Sequence, residues 1–236
     1  MDASHFVNST IFDAEHGFGS ISPGCVTDGP FAGYSLSIGP GYNNTQHCLS
    51  REIDDISSQA SSTFWLEFCM NATTFEEVWD RIEFYPHSAG HSGVGGEVSI
   101  HEALFLLVKD RNQANCKTQM LNPISSPGDP LFYVHHAFID KLWWDWQSVD
   151  TENRLYAIGG PIVKDPNRPA PVPDGSFSAQ HKRTSGDAHG ARVPQFGDRG
   201  NVTTLNHQLS LLGLLPNVAA IDVMDIGNKL MCYSYV

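Results

Sequence analysis

The sequence predicts a mainly helical fold with long irregular loops and little β-structure. Two observations carry that prediction. Segments at about 73–84 and 129–148 repeat apolar residues at helical spacing behind capping residues. The stretches 17–50 and 159–200 are rich in Gly, Pro and small polar residues, the composition of turns and loops.

Taken in order, residues 17–50 read as loop. The first helix begins near Thr73. Thr73 with Glu76, or Thr74 with Glu77, offers a capping box. Phe75, Val78, Trp79 and Ile82 then recur at i, i+3, i+4 and i+7, and Pro86 is expected to close the helix. A single turn is expected at 87–91, started by Pro86 and ended by the glycines from Gly93 to Gly96. In the second helix, Asp129 caps and Pro130 takes the first helical position, where its missing N–H costs nothing. Leu131, Val134, Phe138, Ile139, Leu142, Trp143 and Trp146 form its apolar band. Residues 159–200 read as mostly loop with short strands. The apolar stretch from Leu205 to Ile226 is broken by Gly213 and Pro216, with a short helix after Asn217.

Composition narrows the function classes. The 236 residues suit one domain or a domain plus an extension, and 41% hydrophobic content supports a packed core. A net charge of -12 with no Lys/Arg run argues against nucleic acid as a partner. Apolar runs such as "LFLLV" are too short to cross a membrane. The start "MDASHFVNST" has neither the basic nor the apolar stretch of a signal peptide. Pointing the other way, N-x-S/T sequons at Asn8, Asn43, Asn71 and Asn201 favour a secreted glycoprotein. Cysteines 25, 48, 69, 116 and 232 make no C-x-x-C pair, so a cysteine zinc site is not expected.

The chemistry is concentrated in histidines. Of the eleven, His87 and His91 are four apart in "YPHSAGHSGVGG", a spacing that puts two imidazoles on one helical face. Small residues Ala89 and Gly90 lie between them. His135 and His136 stand side by side in the second helix, with Asp140 one turn beyond His136. Three imidazoles suit zinc, copper, iron or nickel.

The segments "PHSAGHSGVGGEVS" and "SPGDPLFYVHHAFIDKLWWDWQ" together resemble the second copper-binding half of the tyrosinase family, which includes catechol oxidases and polyphenol oxidases. "GCVTDGPFAGY", "LYAIGGP", "LSLLGLLPNVAAIDVMD" and the closing "YSY" resemble short fungal members, so the likeness runs from about Thr10 to Tyr235. The resemblance implies part of a di-copper helical bundle. It makes His87, His91 and His136 the ligands of one copper. His135, rotated about 100° from His136 by the helical period, is then expected to point elsewhere and to support from behind. Asp140 is expected to fix the helix by hydrogen bonds. Glu83 matches the position of a glutamate that orders a water near substrate. Members that hydroxylate monophenols often carry Asn after the first of these ligands; Ser88 stands here, which favours diphenols.

Complete members hold two coppers, take dioxygen and a small phenolic substrate, and release an o-quinone. The first copper's histidine helix and the "YWDW" segment have no counterpart in this chain. The expectation is therefore a single tyrosinase-like domain over 1–236, N-terminally incomplete, with atypical insertions at 100–121 and about 180–194. Such a chain is expected to be a copper oxidoreductase with little activity alone. The alternative is a mononuclear metal-binding protein, or a non-catalytic interaction protein, derived from the same fold. Missing helices would leave Phe132, Phe138 or Trp143 uncovered, a surface for a partner or for aggregation.

Overall fold

The computed structural model describes residues 8–21, 23–39, 43–96, 118–162, 170–173, 197–198 and 200–236. Helix takes 39% and strand 10%, so the fold is mainly helical, as the sequence predicts. The chain forms two compact units, Met1–Cys69 with Ile82–Asp140, and Met70–Arg81 with Lys141–Val236. None of the described helices is long and apolar enough to cross a membrane.

In the first unit, the stretch expected to be loop carries four two-residue strands. These are β1 (Gly24–Cys25), β2 (Ser35–Leu36), β3 (His47–Cys48) and β4 (Ser50–Arg51). β1 pairs antiparallel with β4, and β2 with β3. A Cys25–Cys48 disulfide joins β1 to β3. Strands this short show no alternation to read. Their partners are chosen by the disulfide and by the buried cluster of Val26, Leu36 and Leu49.

Two helices of this unit were not foreseen. α1 (Asp55–Ser58) is capped by Asp54, whose carboxylate accepts from the N–H groups of Ile56 and Ser57. α2 (Thr63–Met70) has no single apolar stripe, because its aromatics are spread around the axis. It is held instead by distant packing: the Trp65 ring stacks on Tyr85 with centroids 3.8 Å apart.

α3 (Phe75–Ile82) buries Val78 and Ile82, as its periodicity predicts. The two expected capping boxes merge into one. Thr74 Oγ1 accepts from Glu77 N at 3.3 Å, while the Glu77 carboxylate accepts from Thr73 N at 2.8 Å. Pro86 does not close this helix. A π turn, Glu83–His87, carries the chain through the proline into α4 (Ser88–Gly95). Proline lacks an N–H, and its ring crowds the carbonyl one turn back; a wider turn relieves both. The Ser88 hydroxyl donates to the Glu83 carbonyl at 2.8 Å. Gly96, at φ +93°, ends α4.

α5 (Leu131–Ser148) matches the second predicted helix. Asp129 caps it, accepting from Leu131 N at 2.9 Å. The same carboxylate takes two bonds of 2.9 Å from Arg51, and both side chains are fully buried. Arg51 also donates to the Phe18 carbonyl at 2.7 Å. Leu131 joins Phe12, Val94 and Met120 in a core cluster, with Phe132 against it. The expected apolar band is only partly buried. Leu131, Leu142 and Trp146 are inside, whereas Val134 and Phe138 are 41% and 37% exposed beside a 63% exposed Tyr133. A wide band offers more apolar surface than one neighbour can cover, so its far edge stays in solvent.

In the second unit, Trp146 is fully buried and its indole N–H donates to the Ala72 carbonyl at 2.8 Å. α6 (Thr151–Arg154) follows, and the Arg154 guanidinium lies 4.7 Å from the Trp146 ring centroid. β5 (Gln208–Leu209) pairs with β6 (Val218–Ala219), which runs into α7 (Ala220–Val223), the short helix expected after Asn217.

His5, His101, Cys116, His181, His189 and the 180–194 stretch lie outside the described residues. Of 100–121, only Thr118–Leu121 is described. Met120 is 1% exposed in the core.

Arg51→Met would leave the Asp129 carboxylate buried without its partner and should cost about 3–5 kcal/mol in urea unfolding. Adding Asp129→Asn should recover part of that loss, since the amide oxygen still caps α5 and no lone charge stays buried.

Candidate metal centre

The π turn and α4 place His87 and His91 side by side, with ring centroids 4.8 Å apart. α5 brings both His135 and His136 against them. His136 lies 5.4 Å from His87 and 5.4 Å from His91. His135 lies 5.6 Å from His87 and 5.1 Å from His91. His135 therefore does not turn away, contrary to the expectation. A rotation of about 100° is a narrow enough arc for two adjacent side chains to flank the same groove.

Two groupings emerge, differing by one residue. Ring nitrogens of His87, His91 and His135 lie within 4.8 Å of one another. The cavity beside them, about 230 Å³, is walled by His87, His91 and His136, with Phe132, Met120 and Leu121 among the apolar lining.

Three of the four rings are held by backbone carbonyls. His91 Nδ1 donates to the Met120 carbonyl at 2.8 Å. His136 Nδ1 donates to the Phe132 carbonyl at 2.8 Å, and its ring lies on Phe132 with centroids 3.9 Å apart. Both bonds put the proton on Nδ1 and leave Nε2 with its lone pair. His135 is held the other way round. Its Nε2 donates to the His87 carbonyl at 3.0 Å. Its ring edge fills the space beside Gly90, where an added Cβ would stand 2.2 Å from His135 Nδ1. Gly90 is therefore required by contact: any side chain there collides with His135.

Burial lowers the His91 pKa; the Met120 carbonyl opposes the shift, and nearby His136 adds to it. His135 is pushed down to about 2 by burial and by His91, His87 and His136 around it. These imidazoles stay neutral, as nitrogen ligands must. The donor set, closely spaced imidazoles with ring nitrogens oriented by carbonyls, fits copper or zinc.

Glu83 is half-buried in the π turn and does not line the cavity, whereas Ser88 does. Asp140 is half-buried, one turn beyond His136. The remaining described histidines are elsewhere. His16 is exposed beside Asp13, His47 reaches Thr45 and Gln119, and His207 donates to Asp198 in the other unit. Sequence spacing did not single out Met120, Leu121 or Phe132. Their place on the wall depends on long-range packing.

The lowered histidines make acid sensitivity predictable for the metal-free chain. Unfolded, His135 takes a proton as pH falls through its ordinary 6.5; folded, it resists until about 2. Across that window the unfolded state binds more protons, so stability should fall as pH drops from 6.5 toward 2. His91 acts in the same direction. His135→Gln should flatten the slope, measured as urea midpoint against pH.

Comparison with known proteins gives concordant results. Residues 2–149 match the family described as the common central domain of tyrosinase. The chain is 28% identical over 254 residues to the tyrosinase-like protein phomQ2 of Diaporthe leptostromiformis, covering 100% of this chain and 50% of that protein. It is 27% identical over 253 residues to tyrosinase ustQ of Aspergillus flavus, covering 100% and 54%. The chain thus spans about half the length of these curated relatives. A helical fold, a cluster of imidazoles between two helices and a match over residues 2–149 agree: this chain belongs to the tyrosinase family.

Proposed function

We propose that the chain forms one half of a copper phenol-oxidase centre, with His87, His91 and His136 as the ligands of one copper. The cavity carries this reading, because its wall takes these three rings and not His135. One nitrogen of His135 is engaged: Nε2 is bonded to the His87 carbonyl, and the ring lies in the space left by Gly90. His135 then supports the site by fixing the backbone of His87.

When bound, copper supplies one-electron redox chemistry at the open side of the three nitrogens. The chain's own residues do the rest. His91 and His136 present Nε2 because carbonyls hold their Nδ1 protons. Phe132, Met120 and Leu121 give an apolar wall suited to a flat aromatic ring. The Ser88 hydroxyl is tied to the Glu83 carbonyl, and Ser88 stands where monophenol-hydroxylating members of the family often carry Asn, which favours catechols. A catechol loses two electrons and two protons in becoming an o-quinone, and one dioxygen takes four of each to give two waters. A single one-electron centre would not match that stoichiometry, so this half alone is expected to yield little quinone.

Among the described residues the one group of ring nitrogens close enough to hold an ion is that of His87, His91 and His135, beside the cavity, which favours a second reading: a mononuclear metal-binding protein without oxidase activity. In either reading, the exposed strip of Tyr133, Val134 and Phe138 is a surface that further protein would cover. The relatives are fungal, and Asn8, Asn43, Asn71 and Asn201 are all exposed outside helices and strands. With the Cys25–Cys48 disulfide, these features suit a fungal glycoprotein folded in an oxidising compartment.

Copper content and quinone formation test the reading together. The chain should retain one copper per molecule and yield little quinone from a catechol. His136→Ala should lose the copper, while His135→Ala should keep it with affinity weakened roughly 10–100-fold. The reverse pattern would move the third ligand to His135. Strong turnover would show a second copper held by other residues. Expressed in a fungal secretory host, the chain should drop in mass when N-glycans are removed, and less so after the four asparagines are changed to Gln.

A further inference from the structure

The carbonyl that holds His91 must itself be held in place. His91 donates to the Met120 carbonyl, which belongs to residues 118–122, a stretch without helix or strand of its own. Such a stretch holds a carbonyl in place only if its neighbours pin it. Thr118 contributes a hydroxyl bond to the Gly95 carbonyl. Gln119, the residue before Met120, contributes far more. It is 3% exposed, and all its polar groups are engaged. Its backbone N–H donates to the Ser50 carbonyl on β4 at 3.2 Å. Its own carbonyl accepts from Asn122 N at 3.1 Å. Its amide nitrogen donates to the Ser125 carbonyl just ahead of α5. Its amide oxygen faces His47 Nε2 at 3.2 Å.

Gln119 thus ties the short strands, the start of the His136 helix and the carbonyl behind His91 to one another. We propose that Gln119 is a positioning residue for His91. By holding the Met120 carbonyl, it keeps the His91 proton on Nδ1 and the Nε2 lone pair toward the cavity. The functional meaning rests on His91 being a metal ligand, but the proton position belongs to the metal-free chain and is measurable without any metal.

The test uses the full chain and two readouts. Nitrogen-15 imidazole spectra of the metal-free protein report the His91 tautomer, and zinc titration against a competing chelator reports affinity without redox chemistry. In wild type, His91 should carry its proton on Nδ1. Gln119→Met, similar in size but without the amide, should give a mixed tautomer and weaken zinc roughly 10–100-fold. Trp146→Phe, which loses the bond to Ala72, is the control for general destabilisation and should leave the tautomer unchanged. If Gln119→Met does not fold, Gln119→Glu sets an oxygen against the Ser125 carbonyl and should move both readouts in the same direction. An unchanged His91 tautomer in the folded variant would overturn the proposal, even if zinc still binds. A shifted tautomer in a protein that never binds zinc would keep the proposal and overturn the metal reading.

Discussion

The buried pair of Arg51 and Asp129 is the constraint on which the first unit depends. Asp129 accepts two bonds from Arg51 and also caps the helix that carries His135 and His136. Arg51 in turn reaches the Phe18 carbonyl, so the N-terminal segment, strand β4 and the start of α5 meet at one ion pair. Two buried charges are tolerable only when each is fully satisfied, so their geometry admits little play. That rigidity sets where α5 begins, and hence where its histidines stand relative to α4.

A second constraint is steric. Four imidazoles crowd between α4 and α5, and the space exists because Gly90 has no side chain. The π turn at Pro86 delivers His87 to this space without ending the helix. Backbone carbonyls then sort the rings by proton position. Those of Met120 and Phe132 leave Nε2 open on His91 and His136, while that of His87 occupies Nε2 of His135. Burial favours the neutral form of His91 and His135, the form in which an imidazole can bind a metal.

Some expectations held and others failed for identifiable reasons. The α5 span and its Asp129 cap were legible because capping and periodicity are local. α3 began where its threonines indicated, but Pro86 misled about its end. Proline rules assume an α turn, and a π turn escapes them. α2 and the two-residue strands were invisible because Trp65 on Tyr85 and the Cys25–Cys48 bond are long-range choices. The burial of Met120 was not legible either, because it depends on what the chain folds against.

By itself, the sequence determined the fold class, the long helix and its cap, and the spacing of the histidines that come to cluster. It did so because helix periods, caps and i, i+4 spacings are properties of neighbours along the chain. Only the tertiary structure decided how those histidines differ. His135 and His136 are adjacent and chemically identical in sequence. What separates them is a carbonyl from the same helix, a carbonyl from the π turn and the bare Cα of Gly90. Those contacts come from segments tens of residues apart, brought together by the packing of α4 against α5 and by the Arg51–Asp129 pair.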